Sequence, residues 1–235
     1  MGHFITGVVD EILTPFNADG SVNYEQTAEM IDWHLSKGIQ NFFVNGLGAE
    51  CHELTTEEKL ELLKVIYGRT QGKAKIMACS FENSIEENKK LLDLYEETGM
   101  ADCYCITAPP FFRHTQKALY DYAAELIDYA KRPVYIYNCV QMGTLFEPDT
   151  LEKLWREHPN LKGFKDASVD ILNFLQCTPA HRQGRVRLPG RLRRPGRRDD
   201  AVGRGGLRVL YGGSLSRGDD GHLPLWLRGQ RREVH

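Results

Sequence analysis

Apolar runs bounded by turn-forming residues recur along the first 177 residues: "GVVDEILTP" (7–15), "NFFVNG" (41–46), "KAKIMACS" (73–80), "DCYCITAP" (102–109), "RPVYIYN" (132–138) and "LKGFKD" (161–166). Their length and their Val, Ile, Phe and Tyr content predict strands. Between them the apolar positions fall at spacings of three and four, as at Leu60, Leu63 and Ile66, which predicts helices. Start signals stand where those helices should begin. Asn23 precedes Gln26 by three residues, and Thr55 with Glu58 and Ser84 with Glu87 have capping-box spacing.

Strand and helix thus alternate about every 30 residues, six times, the pattern of βα units and a parallel sheet. The strands are apolar almost throughout, so both sheet faces are expected to be covered. A doubly wound nucleotide-binding sheet would carry a glycine-rich turn after its first strand, whereas this chain has "TPFNADGSVN" there. A (β/α)8 barrel is therefore the expected α/β fold, with six βα units recognisable. Chemistry in that fold sits where the strands end.

Composition changes the picture at one point. The chain has 235 residues and a net charge of −2, but residues 1–177 hold 16 basic against 27 acidic side chains and residues 178–235 hold 14 against 5. Every basic residue of the second segment is arginine, and that segment contains no Ile, Phe, Asn or Lys. The expected division is a barrel-type domain over 1–177 and an Arg/Gly-rich tail over 178–235. Out-of-register reading of GC-rich codons yields that composition, so the tail is expected to be frameshifted or disordered. An unfinished barrel exposes strand edges, and the chain as written is expected to aggregate and to lack turnover. Six scattered cysteines without a Cys-x-x-Cys pair fit reduced thiols and a cytoplasmic location, and no apolar run is long enough to span a membrane.

Lys165 ends the sixth strand and Tyr137 ends the fifth, one βα repeat earlier. Spacing therefore puts both at equivalent ends of neighbouring strands. An amine in a partly apolar pocket loses some preference for its charged form. A neutral lysine attacks a ketone to give a Schiff base, and a nearby phenol can shuttle the protons. The plainer alternative is a solvated Lys165–Asp166 pair beside a core tyrosine. If Lys165 acts at the mouth, its replacement by alanine should leave the fold largely intact.

"VYIYN" and "LKGFKDAS", with "NFFVNGLGAE" upstream and "TAPPFF" between, resemble the dihydrodipicolinate synthase/N-acetylneuraminate lyase family over about residues 5–176. The resemblance implies a (β/α)8 barrel, Lys165 as the Schiff-base residue and Tyr137 as the acid/base. It also implies substrate binding by Gly46, Leu47, Gly48 and Asn138, a 2-oxo acid and an aldehyde as small-molecule partners, and a homotetramer if the barrel is complete. The Schiff base is itself the electron sink, so neither a metal nor an organic cofactor is expected. Gly46-Leu47-Gly48-Ala49-Glu50 stands where the family has hydroxyl residues that hold the substrate carboxylate, and Gly48 would let an anion approach the backbone closely. Met142 stands where the synthases place an arginine, and Phe111 and Phe112 where they place tyrosines. These departures favour an N-acetylneuraminate lyase-like carbon–carbon lyase. The alternatives are a dihydrodipicolinate synthase-like condensing enzyme and an inactive member whose basic tail binds nucleic acid, the last being disfavoured.

Overall fold

A computed structural model describes residues 4–168, 170–177 and 208–211. Seven strands form one parallel sheet in chain order: β1 (Asp10–Glu11), β2 (Asn41–Val44), β3 (Lys75–Ser80), β4 (Cys103–Thr107), β5 (Val134–Cys139), β6 (Leu161–Ala167) and β7 (Arg208–Tyr211). Six helices alternate with the strands: α1 (Tyr24–Ser36), α2 (Thr56–Thr70), α3 (Ile85–Thr98), α4 (Gln116–Tyr129), α5 (Pro148–Glu157) and α6 (Ile171–Gln176). All six expected strands are present. The first is the shortest, because in "GVVDEILTP" only Asp10 and Glu11 form the ladder, opposite Phe42 and Phe43.

The caps explain where the helices start. Asn23 accepts the Gln26 N–H at 2.9 Å. Thr55 and Glu58 form the reciprocal capping box at 3.2 and 2.8 Å. Ser84 accepts the Glu87 N–H, but the Glu87 carboxylate turns to the Ser84 hydroxyl instead of the backbone, so only half of the second box forms. Strands β2 and β5 are buried at every position, as a sheet covered on both faces requires. A single apolar cluster joins the strand interiors to the inner faces of α1 to α5.

The sheet is curled. Adjacent strands lie about 4.8 Å apart, so in a flat sheet β1 and β6 would be separated by roughly 24 Å. Yet Lys165 of β6 touches Glu11 of β1, so the strands arc around a common interior as part of a barrel. Within the 178–235 segment, Arg208–Tyr211 pairs in parallel with Gly163–Asp166 of β6. The remainder of 178–235 lies outside the described residues. Among the described residues no helix is long and apolar enough to cross a membrane.

Candidate active site

Tyr137 and Lys165 are Cα partners in the β5–β6 ladder, so the backbone itself brings them together. Alternation along a strand sends neighbouring residues to opposite faces. Lys165 therefore faces the interior, and Asp166 faces the helix layer. There Asp166 accepts the Ser168 N–H and hydroxyl at 2.9 and 2.6 Å, so no solvated Lys165–Asp166 pair forms. Lys165 is only 5 % exposed. Its Nζ lies 3.8 Å from the Tyr137 ring centroid and 4.0 Å from that of Phe43, and the two rings meet edge to face at 5.7 Å. Burial first, and then the Glu11 charge, pushes the Tyr137 phenol well up, which suits a proton donor that stays protonated.

The main finding that sequence reasoning missed is Glu11. Its Oε2 accepts from Lys165 Nζ at 2.6 Å, and its Oε1 accepts from the Gly48 N–H at 2.8 Å. One carboxylate thus bridges the lysine and the β2–α2 loop. The signal was present in "GVVDEILTP", where Glu11 interrupts an apolar strand on the side opposite Ile12. An inward carboxylate in a strand needs a cation, and Lys165 is that cation.

The loop residues divide into distinct roles. Gly46 opens a short turn, Leu47–Ala49, which Thr14 fixes by donating to the Ala49 carbonyl at 2.7 Å. A Cβ at Gly46 would fall 2.1 Å from Phe43 Cε1 and 2.6 Å from Glu11 Oε1. A Cβ at Gly48 would stand 3.0 Å from the Glu11 carboxyl carbon. Both glycines therefore allow close approach of an anion, and the anion in place is Glu11. Leu47 packs against the core rather than offering a polar group. Asn138 stands apart from the other expected substrate-binding residues. Its Oδ1 accepts the Phe146 N–H at 2.8 Å and its Nδ2 donates to the Phe146 carbonyl at 3.2 Å, so its carboxamide pins the β5–α5 loop. Met142 is buried, and Phe111 and Phe112 are exposed. His52 and Glu53 are both solvated.

Cys79 and Cys105 are paired in register across β3 and β4, and Cys105 is level with Tyr135, two residues before Tyr137. All six cysteines are buried and free. Cys79 is hydrogen-bonded to Cys105, and this contact together with burial pushes the Cys79 thiol up. Burial pushes Cys139 up to about 12. Cys79 and Cys139 therefore stay neutral at ordinary pH.

A βα sheet arced around a common interior, with a buried lysine at a strand end, is the architecture of the barrel class, in which chemistry sits at the C-terminal mouth. The chain belongs to the dihydrodipicolinate synthetase family, whose family model matches residues 4–190 and so runs past the stretch expected from sequence. Members of this family form or cleave carbon–carbon bonds. A 4-hydroxy-tetrahydrodipicolinate synthase of Thermoanaerobacter sp. (strain X514) is 29% identical over 166 residues, which is 70% of this chain and 55% of that protein. The solved dihydrodipicolinate synthase of Aquifex aeolicus superposes with a TM-score of 0.69 at 26% identity, over 74% of this chain and 59% of that one. A 2-keto 3-deoxygluconate aldolase from Picrophilus torridus also gives 0.69 at 26% identity, over 73% and 61%. The chain spans about half the length of the curated relatives it matches.

Proposed function

We propose that this chain carries the donor half of a Schiff-base condensing site. Lys165 attacks the ketone of a pyruvate-type 2-oxo acid, and Tyr137 moves the protons that release water from the carbinolamine. Loss of water leaves the Schiff base, and a proton then leaves its adjacent methyl carbon to give the enamine. The enamine adds to an aldehyde, as in a dihydrodipicolinate synthase-like reaction. The observation that carries the reading is the register pairing of Tyr137 with Lys165, which holds the buried amine against the phenol ring. The names of the relatives support a synthase-like condensation over the N-acetylneuraminate lyase-like reaction that Leu47, Gly48 and Met142 favoured. Homo-oligomer formation belongs to the same proposal and is read by light scattering.

Borohydride trapping tests it. Nζ forms a C–N bond to the keto carbon, the carbonyl oxygen leaves as water, and hydride reduces the C=N bond to a stable amine. Incubation with pyruvate and borohydride is expected to place one adduct on Lys165, located by peptide mass spectrometry. No adduct, or an adduct on other lysines alone, would refute the assignment. Loss of aspartate semialdehyde in the presence of pyruvate tests the condensation separately.

A further inference from the structure

Glu11 holds both the Gly48 N–H and Lys165 Nζ with one carboxylate. A 2-oxo acid poised for attack sets its carbonyl carbon against Lys165 Nζ, and its carboxylate is the next carbon along. The backbone donor on the β2–α2 loop that points into this space is the Gly48 N–H, which already binds Glu11 Oε1 at 2.8 Å. The other oxygen of Glu11 holds Nζ itself at 2.6 Å. Gly46 and Gly48 lie directly against Glu11, since a Cβ at either position would stand within 3.0 Å of it, so a carboxylate seeking the Gly48 N–H meets Glu11 there first. Two like charges this close also repel strongly away from bulk water.

We infer that Glu11 is a specificity-determining residue, a resident carboxylate that a 2-oxo acid must displace before it reaches Lys165. This deepens the proposed function and rests on it for the chemistry at Lys165. Glu11 leaves its two partners when a carboxylate donor enters, whereas an uncharged ketone reaches the lysine without competing for the Gly48 N–H. The preference between donors is therefore set on β1, outside the loop that carries the glycines.

The test uses the full 235-residue chain as wild type, Glu11→Gln and Glu11→Ala. Adduct formation on Lys165 is compared for pyruvate and for hydroxyacetone, which has a hydroxymethyl group in place of the carboxylate. The pyruvate-to-hydroxyacetone ratio is expected to rise on the order of tenfold in Glu11→Ala. It should also rise in Glu11→Gln, which keeps the shape and loses the charge. If Glu11 serves only as the base that takes the Lys165 proton, both donors slow equally and the ratio stays fixed, which overturns the inference. Lactate, which has the carboxylate but no ketone, reports the anion site without the covalent step. By titration calorimetry it is expected to bind Glu11→Ala about tenfold tighter than wild type, and equal affinity would overturn the inference. Tighter lactate binding without a pyruvate adduct in any chain would instead refute the Schiff-base reading and leave the role of Glu11 standing.

Discussion

Removing the ammonium of Lys165 should cost stability as well as chemistry. Sequence alone suggested that alanine would be tolerated, because the side chain sits at the mouth. The structure shows a lysine side chain 6 % exposed, paired at 2.6 Å with a Glu11 side chain 25 % exposed. Truncating one partner of a fully buried pair costs about 3–5 kcal/mol, because the other charge is left desolvated. Glu11 keeps the Gly48 N–H and part of its surface in water, so the expected cost is lower, about 2 kcal/mol. Lys165→Met isolates this effect, since it keeps the aliphatic stem against Phe43 and Tyr137 and removes only the charge. Adding Glu11→Gln to that variant removes the stranded carboxylate and should recover most of the loss, a coupling of about 1–2 kcal/mol. Urea unfolding followed by circular dichroism measures both, read as midpoint shifts at a constant slope. An unchanged midpoint for Lys165→Met, or a double variant as unstable as the two single losses combined, would refute the reasoning.

Tyr137→Phe keeps the ring contacts with Phe43 and Lys165, so stability should hold while the trapping rate with pyruvate falls by about 10²–10⁴; an unaltered rate would reduce Tyr137 to packing. Asn138→Ala strands the Phe146 backbone groups and should cost about 1–3 kcal/mol in urea unfolding without changing trapping by the folded fraction. Lost trapping at full stability would return Asn138 to the substrate. The buried thiols Cys51, Cys139 and Cys177 are pushed from 9.0 up to about 12, so the unfolded state ionises first. Stability should be complete below pH 9 and fall as pH rises toward about 12, and a flat urea midpoint across that range would contradict this. We also propose that residues 178–235 are read out of register. Resequencing across codon 177 should find a shifted frame and limited proteolysis should remove the segment first; an intact frame with a protease-resistant chain would end that proposal.

The βα order and the capped starts of α1 and α2 were legible because each is written locally, in a run of apolar residues or a three-residue spacing. The pairing of Tyr137 with Lys165 was legible too, since one repeat length fixes equivalent strand ends. Glu11 was not, because its partner lies 154 residues away and nothing local marks an inward carboxylate as occupied. Asn138 was not legible in its hydrogen bonding either. It adjoins a residue facing the interior, and strand alternation turns its own side chain outward to Phe146. The strand at Arg208–Tyr211 lies in a segment whose composition carries no usable period.

The Lys165–Glu11 contact also fixes when the site can exist. It joins the first strand to the sixth, so it belongs to the long-range class of contacts whose loop closure is costly and slow. At synthesis rates of about 5–20 residues per second, Lys165 leaves the ribosome roughly 8–30 s after Glu11. During that interval the nascent β1 to β5 can pair strand by strand, but the Glu11 carboxylate has no ammonium to meet and must stay in water. The mouth thus cannot form before β6 arrives, and its completion reports that the sixth strand has docked.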